Sequence, residues 1–419
     1  MDDLTYARSQ MAMSLAFHIV FAAIGMAMPL LMVLAEWRFR RTGDRDYLAL
    51  AHAWAKGTAV LFAVGAVSGT VLSFELGLLF PGFMRRAGAI IGMPFSLEGF
   101  AFFAEGIFLG LYLYGWERVR PRLHLAAGWI VAVSGLASAG FVLIANAWMN
   151  APRGFRLDGA QLVDVDPLEA MRTPFAAHEI AHMALAAYMA TAFAAAALHA
   201  VALRRAPSST LHRKALGLAL WVAIPCSLAQ PLVGHWAGHQ VAQHQPIKLA
   251  ALEQHLQTRA WAPIRLGPIE IPGALSVLAF NRPSAIVRGL EDFPRDQWPP
   301  SLVHPAFQLM VAIGMLLALV AAWALWLRLR RRAWADSRRL LLALIVCAPL
   351  GFVAIEAGWV VTEVGRQPWV IYGVLRTAAG VTPMTGLWAP FVTFTLVYLG
   401  LAAAVIAILK RQLRSTVAP

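Results

Sequence analysis

Charge is what this 419-residue chain has least of. Asp, Glu, Lys and Arg together make up 14% of it, while 59% is hydrophobic. Soluble domains carry about a quarter charged residues, so a water-facing globular surface is excluded. Cysteine is nearly missing as well. Cys226 and Cys347 are the only two; both lie inside apolar runs, far apart, which leaves neither a disulfide framework nor a cysteine zinc site. Internal repeats and low-complexity tracts are lacking. The opening MDDLTYARSQ has no basic n-region and no small-residue cleavage site, so the first apolar run is expected to be a retained span. Acidic residues are the minority among the charges, giving a net charge of +13. That excess is expected in loops on the inner side of a membrane, with no nucleic-acid partner.

Long uncharged apolar runs are what the chain does have. Each can cross a hydrocarbon core of about 30 Å as a helix of roughly 20 residues, and in lipid the backbone must satisfy its own hydrogen bonds, so the runs are helices. The expected fold is all-α, a polytopic helical bundle. Its nine spans fall at about 11–35, 54–80, 95–116, 124–149, 176–203, 215–234, 303–327, 339–362 and 386–409. The basic connections support that count. Arg38, Arg40, Arg41 and Arg45 follow span one; Arg118, Arg120 and Arg122 follow span three; Arg204, Arg205, Arg213 and Lys214 follow span five. Arg328, Arg330, Arg331, Arg332, Arg338 and Arg339 follow span seven, and Lys410, Arg411 and Arg414 end the chain. With nine crossings all of these share one side, which by the positive-inside rule is cytoplasmic, with the N-terminus outside. The chain divides into spans one to six (1–234), a long outer loop (235–302) rich in Pro, Gln and His, and spans seven to nine (303–419). A loop that long in a compact protein is usually functional.

An ionisable side chain inside a span is costly and marks a candidate site. His18, Glu75, Glu98, Glu105, His178, Glu179, His182, Glu356 and Glu363 are the candidates. Alternating span direction puts His18, Glu75, Glu98, His178, His182 and Glu363 in one outer layer beside the long loop, where purely structural polar residues would scatter. Histidine is a common axial ligand of heme iron and methionine a frequent partner. Met310, early in span seven, lies in the same layer. The plainer reading of His18 is a histidine bonded to a neighbouring helix, and of Met310 a core filler. Glu98 and Glu105 are seven residues apart on one helix face. They are either a proton relay from the inner side or two separately bonded structural carboxylates. His178-Glu179-Ile180-Ala181-His182 fits H-E-x-x-H, a zinc-protease motif on a helix, but no later span offers the Asp that an intramembrane protease would add, and Asp336 sits in a basic loop.

Several strings resemble one family. Gly358-Trp359-Val360-Val361-Thr362-Glu363-Val364-Gly365-Arg366-Gln367-Pro368-Trp369 is similar to the GWxxxExGRQPW signature of subunit I of cytochrome bd-type quinol oxidases. Arg8 and His18, ten apart, match its first span; LEGFAFFAEGIFLGLYLYGW at 97–116 resembles its third; ANAWMNAPRGF at 145–155 resembles the end of its fourth; and Lys248-Leu249-Ala250-Ala251-Leu252-Glu253 resembles its quinol-binding loop. The resemblance covers nearly the whole chain.

The resemblance implies a role for each candidate. His18 ligates one of two high-spin hemes, Glu363 another, and Glu98 lies beside the pair as ligand or proton donor. His182 and Met310 are the axial pair of a low-spin heme b; His182 is preferred to His178 because Tyr188 comes six residues after it, as in the family's pattern. Lys248 and Glu253 bind or deprotonate quinol at the periplasmic face. Trp359 assists electron transfer between hemes, Arg366 pairs with a heme propionate, and Arg8, Asn146, Glu75 and Glu105 serve the heme pocket or the proton path. The implied cofactors are low-spin heme b, a second, high-spin heme b, and heme d or a further heme b. The implied partners are a second polytopic subunit, small single-span subunits, membrane quinol and O2. The implied reaction is quinol oxidation outside and O2 reduction to water with cytoplasmic protons, electrogenic without a pump, in a bacterial inner membrane. Two features depart from the commonest pattern. Gln308 stands where many members have Arg two residues before the low-spin Met, and the loop is short, as in the cyanide-insensitive branch. Two other classes use the same residues: a heme-bearing anchor passing electrons between quinone and another redox protein, and a proton-coupled transporter without heme.

Overall fold

The computed structural model describes residues 2–159, 161–266 and 269–417. Among these, nine helices are long and apolar enough to cross a membrane. Spans one to nine are Asp3–Thr42, Arg45–Leu79, Pro81–Tyr114, Pro121–Asn150, Ala176–Arg205, Thr210–His244, Val303–Leu329, Arg338–Glu363 and Trp388–Val417. Their ends reflect local chemistry. The Asp2 side chain caps span one by accepting from the Thr5 amide (2.9 Å). Gly43, at φ +69°, closes its other end, a conformation open to glycine without a Cβ penalty. Asp44 and Ser209 cap spans two and six, and Pro81 and Pro121 open spans three and four, where a missing N–H costs nothing.

Several helices outrun their apolar stretches. Span three begins at Pro81 instead of near 95, so Glu98 lies well inside it. Span six continues through Gly-His-Trp-Ala-Gly-His-Gln to His244 instead of ending near 234. At 1.5 Å per residue, the 40 residues of span one reach about 60 Å, twice the hydrocarbon thickness. Helices therefore project beyond the lipid, and hydropathy sees only their middles. Span eight has a break at Ala348-Pro349 between the segments Arg338–Cys347 and Leu350–Glu363, where proline removes a ladder hydrogen bond.

Spans one and two, three and four, and five and six pack as consecutive hairpins; span eight lies against five and seven, and span nine against one and two. The largest apolar cluster, with Leu31, Trp54, Leu109, Phe193, Leu220, Leu317 and Leu344, fills the half of the bundle next to the basic loops. Those loops lie at one end and are tied to each other. Lys214 bonds Asp44 and Asp46 (2.5 and 2.6 Å) and Arg213 pairs with Asp336 (2.7 Å), joining the connections after spans one, five and seven. At the opposite end the loop after span six is fastened by Gln245 to the Asn150 carbonyl (2.8 Å), by His304 to the Leu252 carbonyl (2.6 Å) and by Arg376 to Asp296. Short hairpins at Arg156–Asp158/Gln161–Val163, Ile264–Leu266/Ile269–Ile271 and Trp369–Ile371/Leu375–Arg376 complete that end.

One buried charge locks the inner half. Glu36, wholly enclosed, accepts from Arg40 Nε (2.6 Å) and meets His124 Nδ1 (2.9 Å), while His124 Nε2 meets the Tyr112 carbonyl (2.9 Å). Spans one, three and four are joined there. Removing one partner of a buried pair leaves the other uncompensated, at roughly 3–5 kcal/mol. Arg40→Ala leaves the enclosed Glu36 carboxylate without its cation and is expected to lower unfolding stability by about that amount. Glu36→Ala removes the buried charge itself and leaves an Arg40 that reaches solvent, so it should cost less, about 1–3 kcal/mol for the acceptor lost to His124; thermal melts of the purified protein in detergent compare the two.

Candidate functional site

The end of the bundle that bears the long loop gathers the polar side chains. Its centre is Glu363, at the last turn of span eight. Arg366, three residues on, donates from Nη2 to Glu363 Oε2 (2.6 Å), and Asn146 of span four donates to Glu363 Oε1. Arg366 is 2% exposed, and its Nε and Nη1 have no partner. One turn beyond Asn146, Asn150 donates to the Asn146 side chain (3.0 Å) and, more weakly, to Glu179 of span five (3.4 Å). Its own Oδ1 accepts from Lys248 Nζ (3.1 Å) and Gln245 (3.3 Å). Lys248 also donates to the Thr362 carbonyl (3.2 Å).

Lys248 projects from the short helix Pro246–Leu252 into the bundle, and Gly365 lets it pass: a Cβ there would come within 2.8 Å of the Lys248 chain. Burial, reinforced by the Arg366 guanidinium, pushes the Lys248 ammonium well below the usual lysine range. Glu253, at the end of the same helix, faces elsewhere. Burial pushes its carboxyl up, with His304 drawing it partly back. It borders a cavity of about 260 Å³ shared with His255, Gln257 and Arg259. Lys248 does not line that cavity. The sequence pairs these two residues, and the helix turns them apart.

His18 of span one lies against span two, its Nδ1 3.0 Å from Ser68 Oγ. The approach depends on Gly69, where a Cβ would stand 3.0 Å from the ring. Trp359 packs into the apolar group around Ile19, Ala23 and Ala187, one residue from His18 along the chain. Two turns outward, Gln10 donates to Glu75 (2.8 Å). Gln10 Oε1, Ser14 Oγ, Glu75 Oε2 and Tyr398 Oη are all buried there without partners. Arg8, on the same helix, is exposed. On the span three–span four seam, Ser138 donates to Glu98 (3.1 Å), and Glu105 presses on Gly135, whose Cβ would come within 3.0 Å of its carboxylate.

In span five, Gln230 of span six donates to the His182 carbonyl (3.2 Å) and its amide nitrogen lies 3.2 Å from His182 Nε2. His182 Nδ1 and both nitrogens of His178 are buried and unpartnered. Met310 sits against Gly358, its sulfur 3.1 Å from where a Cβ would be. Gln308 is half-buried. The described residues contain no group of three His, Cys, Asp or Glu placed to hold one ion. Each candidate ligand instead comes singly from a different helix. That donor set fits an iron that brings four nitrogens of its own and asks the protein for one or two axial atoms. The unbonded guanidinium nitrogens of Arg366 fit the carboxylates such a macrocycle carries.

Sequence reasoning missed Asn150, Gln245, Gln10, Ser14, Ser68, Ser138, Gln230 and Tyr398. A signal existed for two of them: Asn150 lies one helical turn after Asn146, and Gln10 precedes His18 by two. Asn150→Ala should leave Lys248 with the Thr362 carbonyl as its one remaining acceptor and Gln245 with the Asn150 backbone carbonyl, loosening the loop helix by about 1–3 kcal/mol through the ammonium's lost hydrogen bond. Limited proteolysis should then cut within 245–302 before the helices are attacked, whereas the parent chain resists at equal protease.

A family model described as cytochrome bd terminal oxidase subunit I matches residues 6–417. Among curated proteins, one of Bacillus subtilis (strain 168), named as a candidate cytochrome bd menaquinol oxidase subunit I, is 37% identical over 99% of this chain and 97% of its own. The cytochrome bd-II ubiquinol oxidase subunit 1 of Escherichia coli (strain K12) is 27% identical over 92% of this chain and 90% of its own. Among solved structures, the bd oxidase of Geobacillus thermodenitrificans superposes with a TM-score of 0.93 at 40% identity, covering 99% of both chains.

Proposed function

The chain belongs to the cytochrome bd terminal oxidase subunit I family, and from that premise we propose that it oxidises quinol at the loop-bearing end of the bundle and reduces O2 with protons drawn from the basic-loop end. As a family member it is a quinol oxidase subunit of a bacterial inner membrane. It uses heme and works with a second subunit. The observation that carries the finer reading is Arg366, a buried guanidinium beside Glu363 with two nitrogens unbonded. A buried cation left like that is costly, and a porphyrin carboxylate would satisfy it.

His182 and Met310 would hold a low-spin heme b. His18 and Glu363 would hold two high-spin hemes, a second heme b and either heme d or a further heme b, with Glu98 beside them as ligand or proton donor. When bound, these hemes supply electron storage and transfer from quinol and the reduction of O2 to water. Trp359 fills the space near His18 with an aromatic ring and would ease transfer between hemes. Glu253 borders the cavity at the loop and takes a quinol proton there as general base. Lys248 holds the loop helix to Asn150 and to the span carrying Glu363, keeping the oxidation site close to the hemes. Glu105 and Glu98 hold protons along one seam and deliver them to the O2 site, with Glu75 and its neighbours lying outward of His18. Quinol protons leave on the periplasmic side and consumed protons enter from the cytoplasm, so charge separates without a pump. The N-terminus is then periplasmic and the C-terminus cytoplasmic, consistent with the basic loops lying together at one end. Small single-span subunits complete the expected partner set.

Two experiments check this reading. His182→Ala is expected to remove the low-spin heme signal from the reduced-minus-oxidised spectrum, and its survival unchanged would reassign the ligand. For Glu253, burial raises the carboxyl above the usual range of about 4.3, and only its ionised form accepts a proton. Quinol oxidase kcat/KM should therefore fall as pH drops through a value above that range. Glu253→Gln should lose about 100-fold in turnover and lose that acid limb; an unchanged pH profile would remove Glu253 from proton transfer.

A further inference from the structure

His178 has no part in the proposed electron and proton paths, yet it is among the least satisfied groups in the protein. It is 3% exposed, and neither ring nitrogen has a hydrogen-bond partner. Burying an imidazole in that state carries an uncompensated desolvation cost, and native interiors rarely leave such a group unexplained. Phe175 and Trp236 flank the ring, with centroids 4.9 and 5.9 Å away. Lys248, His244 and His182 are near enough to act on it electrostatically. Neither ring nitrogen of His178 reaches an acceptor within the protein. The Nε and Nη1 of Arg366 are likewise buried donors whose hydrogen bonds are unmade.

His178 lies four residues before His182, about one helical turn or roughly 6 Å toward the loop-bearing end and on the same face. A macrocycle ligated through His182 would present its edge to His178, and the polar edge of an iron porphyrin carries two carboxylates. We propose that His178 donates a hydrogen bond to a carboxylate of the heme held by His182 and Met310, and that this bond raises the heme's reduction potential. The inference rests on His182 as the low-spin ligand. The direction comes from charge. A carboxylate left bare stabilises the more positive, oxidised iron, and a donor that takes up part of its charge favours the reduced form.

Spectroelectrochemical titration of the purified oxidase complex tests it. H178L is expected to keep the low-spin heme but to titrate at a lower midpoint potential than the parent, and H178Q, which restores an N–H donor, is expected to recover most of the shift. A role in packing alone would lower heme content or thermal stability and leave the potential where it was. If H178L fails to assemble, H178Q and H178E decide the matter, with the carboxylate variant required to titrate below the amide. An unmoved midpoint in a heme-replete H178L overturns the proposal. So does a raised quinol KM with an unmoved midpoint, which would give the imidazole to the substrate. H182A tests the underlying assignment separately, since a low-spin spectrum that survives it sinks the ligand and leaves the H178 data to be read on their own.

Discussion

Buried charge in a low-dielectric interior has to be answered by a partner, and at the loop-bearing end of this bundle it is answered only in part. Glu363 and Glu179 stand against Arg366 and Lys248, with Asn146 and Asn150 passing hydrogen bonds between them. The carboxylate of Glu363 is met from both sides. Arg366 keeps two nitrogens free and Glu179 keeps one oxygen free. A cluster whose only purpose was stability would close on itself, or would be replaced by apolar side chains at little cost. This one holds spans four, five and eight and the loop helix in register while leaving hydrogen bonds for something else to complete.

The rest of the architecture serves that arrangement by dividing the bundle in depth. Apolar packing takes the half nearest the basic loops and makes it rigid, with Glu36 and its partners as the single enclosed ionic knot among the described residues there. The other half mixes smaller apolar clusters with polar groups, and each candidate heme ligand there comes from a different helix. Small residues let them sit close: Gly69 beneath His18, Gly135 beneath Glu105 and Gly358 beneath Met310. The loop after span six is part of this half. Gln245 and Lys248 both end on Asn150, so the segment that would meet quinol is bonded to the segment that would hold heme.

Much of this was legible in the sequence, and the limits have physical causes. Apolar runs and basic loops gave the nine spans and their parity, because lipid permits little besides helices and the loops differ so clearly in charge. His18, Glu98, His182 and Glu363 stood out because ionisable residues in apolar runs do, but Glu98, expected at the outer start of span three, lies midway along that helix. Hydropathy could not see the polar continuation of span six to His244 or the start of span three at Pro81, since a helix outside the lipid needs no apolar run. Nor could it see Asn150, whose importance lies in contacts with three separate segments. Lys248 and Glu253 were given one shared role only by the resemblance of their string to the family's quinol-binding loop. On a helix of about 100° per residue, five positions leave them about 140° apart, which is why one faces Asn150 and the other the cavity.

The most direct test of heme binding at this end of the bundle is a visible spectrum of the purified, folded protein, made with ample porphyrin supply, then pigment extraction. A strong Soret band, redox-sensitive visible bands and recoverable heme are the predicted result. A colourless preparation that is folded and stable would contradict it, and would leave the free nitrogens of Arg366 to be explained by some other anion.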